Sequence, residues 1–103
     1  MLLPYVMTFN RIGCREKYAH VAALLGERTE GLSLDAASLA GVEAVRRLCD
    51  TLGIPKRLRD VSVPQDELGY VAQRCLETQG RIATNNPRVA SLADTEAILQ
   101  AAY

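Results

Sequence analysis

A single histidine, three scattered cysteines and an arginine behind an Asn-Pro pair are the side chains of this sequence with types suited to chemistry, and their spacing limits what that chemistry is. His20 stands one helical turn after Glu16, the spacing of a solvated pair on a helix face. Catalytic metals take about three protein ligands around an open position. With no second histidine, His20 is expected on a solvated face, and no metal ligand is expected at all. Cys14, Cys49 and Cys75 contain no CxxC spacing, which speaks against a zinc ribbon or a disulfide framework and for free thiols in a reducing compartment. A nucleophilic thiol needs an activating neighbour, so buried packing is expected of them. Neither G-x-G-x-x-G nor G-x-x-x-x-G-K-S/T occurs, and no cofactor-binding residue is expected. Lys56, Arg57 and Arg59 lie beside Asp60 and read as a solvated connector more than a docking patch. In Asn86-Pro87-Arg88 the asparagine can fold the backbone into a turn while the proline fixes the next residue. These three are expected to act as a structural loop clamp, with Arg88 bonded to helix-end carbonyls, in preference to touching substrate. No catalytic residue is expected.

The elements that would position these groups all read as helices, because apolar spacing follows three and four and never a sustained alternation. A first helix over about Leu2 to Phe9 places Leu3, Val6 and Met7 on one side, with Pro4 in its first turn. A second, about Arg15 to Leu25, carries the stripe Tyr18, Val21, Ala22 and Leu25 and stops at Gly26. Ser33 caps a long third helix with the stripe Leu34, Ala37, Gly41, Ala44, Val45, Leu48 and Leu52, which ends at Gly53 before Ile54-Pro55. Gly41 within that stripe points to close helix approach. Lys56 to Val63 is read as irregular, with room for one turn. Pro64 opens a fourth helix with Leu68, Val71, Ala72, Cys75 and Leu76 inward, terminated by Gly80. After a loop from Arg81 to Ala90, Ser91-Leu92-Ala93-Asp94 forms a capping box that starts a last helix through Leu99.

A chain of 103 residues fits one domain. Twelve basic and twelve acidic side chains cancel, leaving no net field to gather nucleic acid or an anionic membrane. No run approaches the roughly 20 apolar residues of a membrane span, and there is no signal-like start. A cytoplasmic, all-α unit of about five helices over 1–103 is the expectation.

Five segments in order carry a resemblance: LLPYVMTFN at the start, EKYAHVAALLG, a long helix ending LGIP, LRDVSVPQDELGYVA, and TNNPRVASLADTEAILQAAY. Together they resemble the carboxyl-terminal helical domain of the iron-dependent, or group III, alcohol dehydrogenase family over essentially the whole chain. The resemblance implies a parent that exchanges hydride between an alcohol and NAD(P), with Fe2+ or another divalent metal polarising the oxygen. It also implies that the metal ligands, an aspartate and three histidines, precede residue 1. This chain would then supply scaffold and be inactive alone, with Ile82 and Ala83 lining the parent's substrate pocket. The alternative is a stand-alone helical interaction module, or assembly partner, derived from that domain. The expected partner is either the missing amino-terminal part of the parent or a second copy, because Leu2, Leu3, Val6, Met7 and Phe9 would lose their cover.

Overall fold

The computed structural model describes residues 1–103, the side chains of Ile82 and Ala83 excepted. The chain forms α1 (Leu3–Arg11), α2 (Arg15–Leu24), α3 (Leu34–Thr51), α4 (Leu68–Thr78), the short α5 (Gly80–Asn85) and α6 (Leu92–Ala101), with 3-10 turns at Leu58–Val61 and Gln65–Glu67. The architecture is all-α, as the periodicity requires, and there is no strand among the described residues. Among the described residues no helix is long and apolar enough to cross a membrane.

Local chemistry sets most of the boundaries. Ser33 Oγ accepts from the Ala36 amide at 3.1 Å to start α3, filling one of the donors a helix leaves free. At α6 the Ser91 hydroxyl accepts from the Asp94 amide at 3.1 Å, while the Asp94 carboxylate accepts from the Ser91 amide at 2.9 Å. This is the reciprocal box expected from the sequence. Gly26 and Gly53 take φ of 85° and 67°, and each ends its helix with paired returns. Glu27 N donates to Ala22 O and Gly26 N to Ala23 O; Ile54 N donates to Cys49 O and Gly53 N to Asp50 O. Only glycine enters that left-handed region without strain.

α1 is the centre of the molecule. It packs against α3 on one side and α6 on the other, and the pairs α2/α3 and α4/α6 flank it. Pro4, Met7 and Asn10, spaced by three, are its buried face. α2 and α3 run side by side in the same direction. Arg15 meets Asp35 near both starts, Tyr18 and Ala22 meet Gly41 at mid-length, and Glu27 meets Arg47 beyond them. A β-carbon at Gly41 would lie 3.0 Å from Tyr18 O and 3.3 Å from Ala22 N, so the helices approach backbone to backbone. Under α1 on the other side, Leu58, Leu68, Ala72, Leu99 and Ala102 form an apolar core with Met1, Leu2, Tyr5, Val63 and Tyr103 packed around it. Leu58 N donates to Ala102 O at 2.9 Å and ties the connector to the end of α6.

Several expectations are corrected. Pro64 does not open α4; it precedes the 3-10 turn, and α4 begins at Leu68. Gly80 does not terminate α4, which ends at Thr78; it begins α5, so the first half of the expected loop is helical. Val71 and Cys75 point out of the core, and Cys14 and Cys49 are only half-buried, so the thiols are free but not the buried packing groups foreseen. Met7, expected to be bare, is buried within this chain. Leu34, Leu48 and Leu52 lie on the apolar stripe of α3 yet face solvent. In each case periodicity reported which side chains share a face but not whether this chain supplies something to cover it.

Candidate functional site

The carboxyl end of α1 meets the turn before α6, and the polar contacts there link residues almost eighty positions apart. Asn10, on the buried face of α1, exchanges amides with Asn86: Asn10 Nδ2 donates to Asn86 Oδ1 at 2.7 Å, and Asn86 Nδ2 donates to Asn10 Oδ1 at 2.7 Å. Asn86 Nδ2 also reaches Arg88 O, closing the turn around Pro87. Arg88 Nη1 donates to Phe9 O at 2.9 Å, and its guanidinium lies 3.9 Å from the centroid of the Phe9 ring. Phe9 O belongs to the last turn of α1, where carbonyls have no partner in their own helix. A cation at that negative end also suits the helix dipole.

Around this junction, Cys14 Sγ donates to Asn10 O at 3.2 Å. Burial raises the Tyr18 phenol above its ordinary pKa; the neighbouring Asn10 amide opposes the rise and Cys14 adds to it. Amides, a guanidinium and a neutral phenol hold a backbone in place. They do not form an acid/base pair near neutrality.

The structure brings Asn86, Pro87 and Arg88 together as one turn against α1. Sequence reasoning missed their partner Asn10, although its spacing from Pro4 and Met7, on an otherwise apolar face, was a readable signal. Ile82 and Ala83, the expected pocket residues, lie outside the described side chains. His20 and Glu16 are both exposed on α2. Among the described residues no three His, Cys, Asp or Glu side chains gather into a metal-binding group. The described residues therefore do not fit the family's metal by themselves, and no chemical step is assigned through it. A separate cavity of about 250 Å³ opens between the start of α1 and the last turns of α3. In it Arg46 stacks 5.2 Å above the Tyr5 ring, beside Ile54 and Lys56.

Charged contacts elsewhere carry a pH dependence. Hydrogen bonds from Arg15 and then Arg11 hold the Asp35 carboxyl below its usual range, and the Ser91 amide and hydroxyl do the same for Asp94. Groups depressed in the folded state contribute stability that is present above the unfolded value of about 4 and lost as pH falls through the folded value. Urea unfolding should therefore give a flat midpoint from about pH 5 to 7 and a falling one below about pH 4. Asp94→Asn should flatten part of that acid fall; an unchanged acid slope in the variant would remove Asp94 from the account.

An all-helical unit whose central helix carries LLPYVMTFN, locked to an Asn-Pro-Arg turn, has the architecture of a dehydrogenase helical domain. The model of the Fe-containing alcohol dehydrogenase family, C-terminal, matches residues 1–103. The chain is 38% identical over 104 residues to the 1,3-propanediol dehydrogenase of Citrobacter freundii and 39% identical over 104 residues to the lactaldehyde reductase of Escherichia coli K12. In both cases all of this chain and 26% of the relative are covered. A solved 1,3-propanediol oxidoreductase superimposes with a TM-score of 0.93 at 36% identity, over 99% of this chain and 26% of that one. An alcohol dehydrogenase from Oenococcus oeni gives 0.91 at 32% identity, over the same shares. The chain belongs to the Fe-containing alcohol dehydrogenase family and spans about a quarter of the length of these relatives.

Proposed function

We propose that this chain is the helical scaffold of a metal- and NAD(P)-dependent alcohol dehydrogenase acting on small alcohols or diols in a reducing cytoplasm, and that it is catalytically silent by itself. The observation that carries this reading is the match of the entire chain to the family's C-terminal part, joined to a described surface without a metal-binding group. The bound metal would polarise the alcohol or carbonyl oxygen. The part of this chain is mechanical: α1 runs through its middle in contact with α3 and α6, and its carboxyl end is held by the turn at Asn86 and Arg88.

The purified chain should show no stoichiometric site in iron or zinc titrations and no alcohol-dependent reduction of NAD. Fused behind the first three quarters of the C. freundii 1,3-propanediol dehydrogenase, in place of that enzyme's own last quarter, it should restore turnover. Turnover by the chain alone, or micromolar metal binding abolished by His20→Ala, would overturn the reading.

Within that scaffold we assign Asn86, Pro87 and Arg88 the role of clamp on the end of α1. Arg88→Ala removes a half-buried charged hydrogen bond and the stack on Phe9, and should lower stability by about 1 to 3 kcal/mol. Unchanged unfolding in the chain, together with impaired substrate binding when the same change is made in the fusion, would instead place Arg88 at the substrate.

A further inference from the structure

The apolar stripe of α3 does not stop where its cover stops. α2 and α3 start level, at the Arg15–Asp35 pair, but α2 has 10 residues and α3 has 18. At about 1.5 Å per residue, the last turns of α3 run roughly 10 Å past the end of α2. Leu48 and Leu52 sit seven residues on from Gly41 and Val45, on the same face of α3. They are 52% and 65% exposed, and Leu24 and Leu25, at the end of α2, are 73% and 46% exposed. The charges at the rim are already paired, Glu27 with Arg47 and Asp50 with Lys56, so the face has little field to offer a charged partner. The accessible surface totals 6704 Å², where a compact monomer of 11.2 kDa has roughly 5,700 Å². The surplus, roughly 1,000 Å², is of the order of one side of a standard protein interface, about 800 Å².

We propose that the overhang formed by Leu48 and Leu52 of α3, with Leu24 and Leu25 of α2, is the face on which the remainder of a dehydrogenase subunit packs, through an apolar helix surface of that remainder. This rests on the scaffold reading above. The occupant follows from length: the relatives keep this fold closely in a quarter of their chain and have three quarters more with which to cover it. A large exposed apolar face marks an interface, and an internally neutralised rim suits a contact within one subunit better than a steered encounter.

The test compares Leu48→Gln/Leu52→Gln in two settings, since glutamine keeps helix propensity and changes only polarity. In the isolated chain the double variant should melt within about 2 °C of the parent sequence, because both side chains are already solvated. In the fusion with the first three quarters of the C. freundii enzyme it should lower the melting temperature by roughly 10 °C or more and reduce soluble active protein, with Leu48→Met/Leu52→Met restoring both. An active fusion unaffected by the glutamines overturns the docking face and leaves the scaffold reading standing. A fusion that neither folds nor turns over in its unaltered form counts against the scaffold reading itself. If the isolated chain is a dimer that the glutamines dissociate while the fusion is indifferent to them, the occupant is a second copy and the proposal fails.

Discussion

Gly41→Val is expected to destabilise the chain by about 3 kcal/mol, lowering its melting temperature by roughly 12 °C or more. The added β-carbon would meet Tyr18 O at 3.0 Å and the backbone of Ala22 at 3.3 and 3.5 Å. These are main-chain atoms of a regular helix and have no rotamer by which to yield, so α2 and α3 must separate along their shared length. Any loss of contact there is felt by Ala22, and by Ala37 one turn before Gly41, both of which are buried. Gly41→Ala separates the effects, because alanine gains up to about 1 kcal/mol in helix propensity while placing the same first carbon in the gap. Gly69→Ala in α4 is the control: its β-carbon would meet only Glu96 Oε1, at 3.6 Å, the end of a flexible side chain. That variant should be neutral or stabilised by up to about 1 kcal/mol. Equal effects of alanine at positions 41 and 69, read by thermal or urea unfolding, would mean that the two helices tolerate a wider spacing.

Asn10→Ala should cost about 2 to 3 kcal/mol, since it removes two reciprocal amide hydrogen bonds and leaves the Asn86 side chain without its partner. Asn86→Ala should cost a similar amount and also loosen the turn, through the lost bond to Arg88 O. The informative quantity is the double variant. A paired network is strongly non-additive, so Asn10→Ala/Asn86→Ala should fall short of the sum of the single changes by about 1 kcal/mol or more. Additive unfolding energies would show that the two amides contribute separately and that the link between α1 and the 86–88 turn is carried by Arg88 alone.

How much of this was legible in the sequence depends on how far each determinant reaches. The Ser91–Asp94 box, the Ser33 cap and the stops at Gly26 and Gly53 were all read correctly, because each is settled by atoms within five residues. Gly41 was read correctly as a point of close approach, since a glycine on an apolar stripe has few other uses. The family was legible from ordered motifs spread along the chain. Cys75, Val71, Leu48 and Leu52 were misjudged for one physical reason: a helical stripe identifies a face that seeks cover, whereas the cover belongs to another element. Gly80 misled because glycine more often closes a helix than opens one. The Asn10–Asn86 pair was missed because 76 residues separate its members and neither has local chemistry that betrays the other.

The central position of α1 has a consequence for the order in which this structure can form. α1 precedes the helices that assemble around it, and its partners at Asn86 and Arg88 follow their α1 contacts by 76 and 79 residues. At a synthesis rate of about 5 to 20 residues per second, α1 waits several seconds with Met7 and Asn10 unsatisfied. During that wait α2 and α3 can pair with each other and with α1, but the second core cannot close until Leu99 and Ala102 have been made. A translational pause between residues 11 and 86 would therefore lengthen the interval in which the buried face of α1 is adhesive for want of these partners.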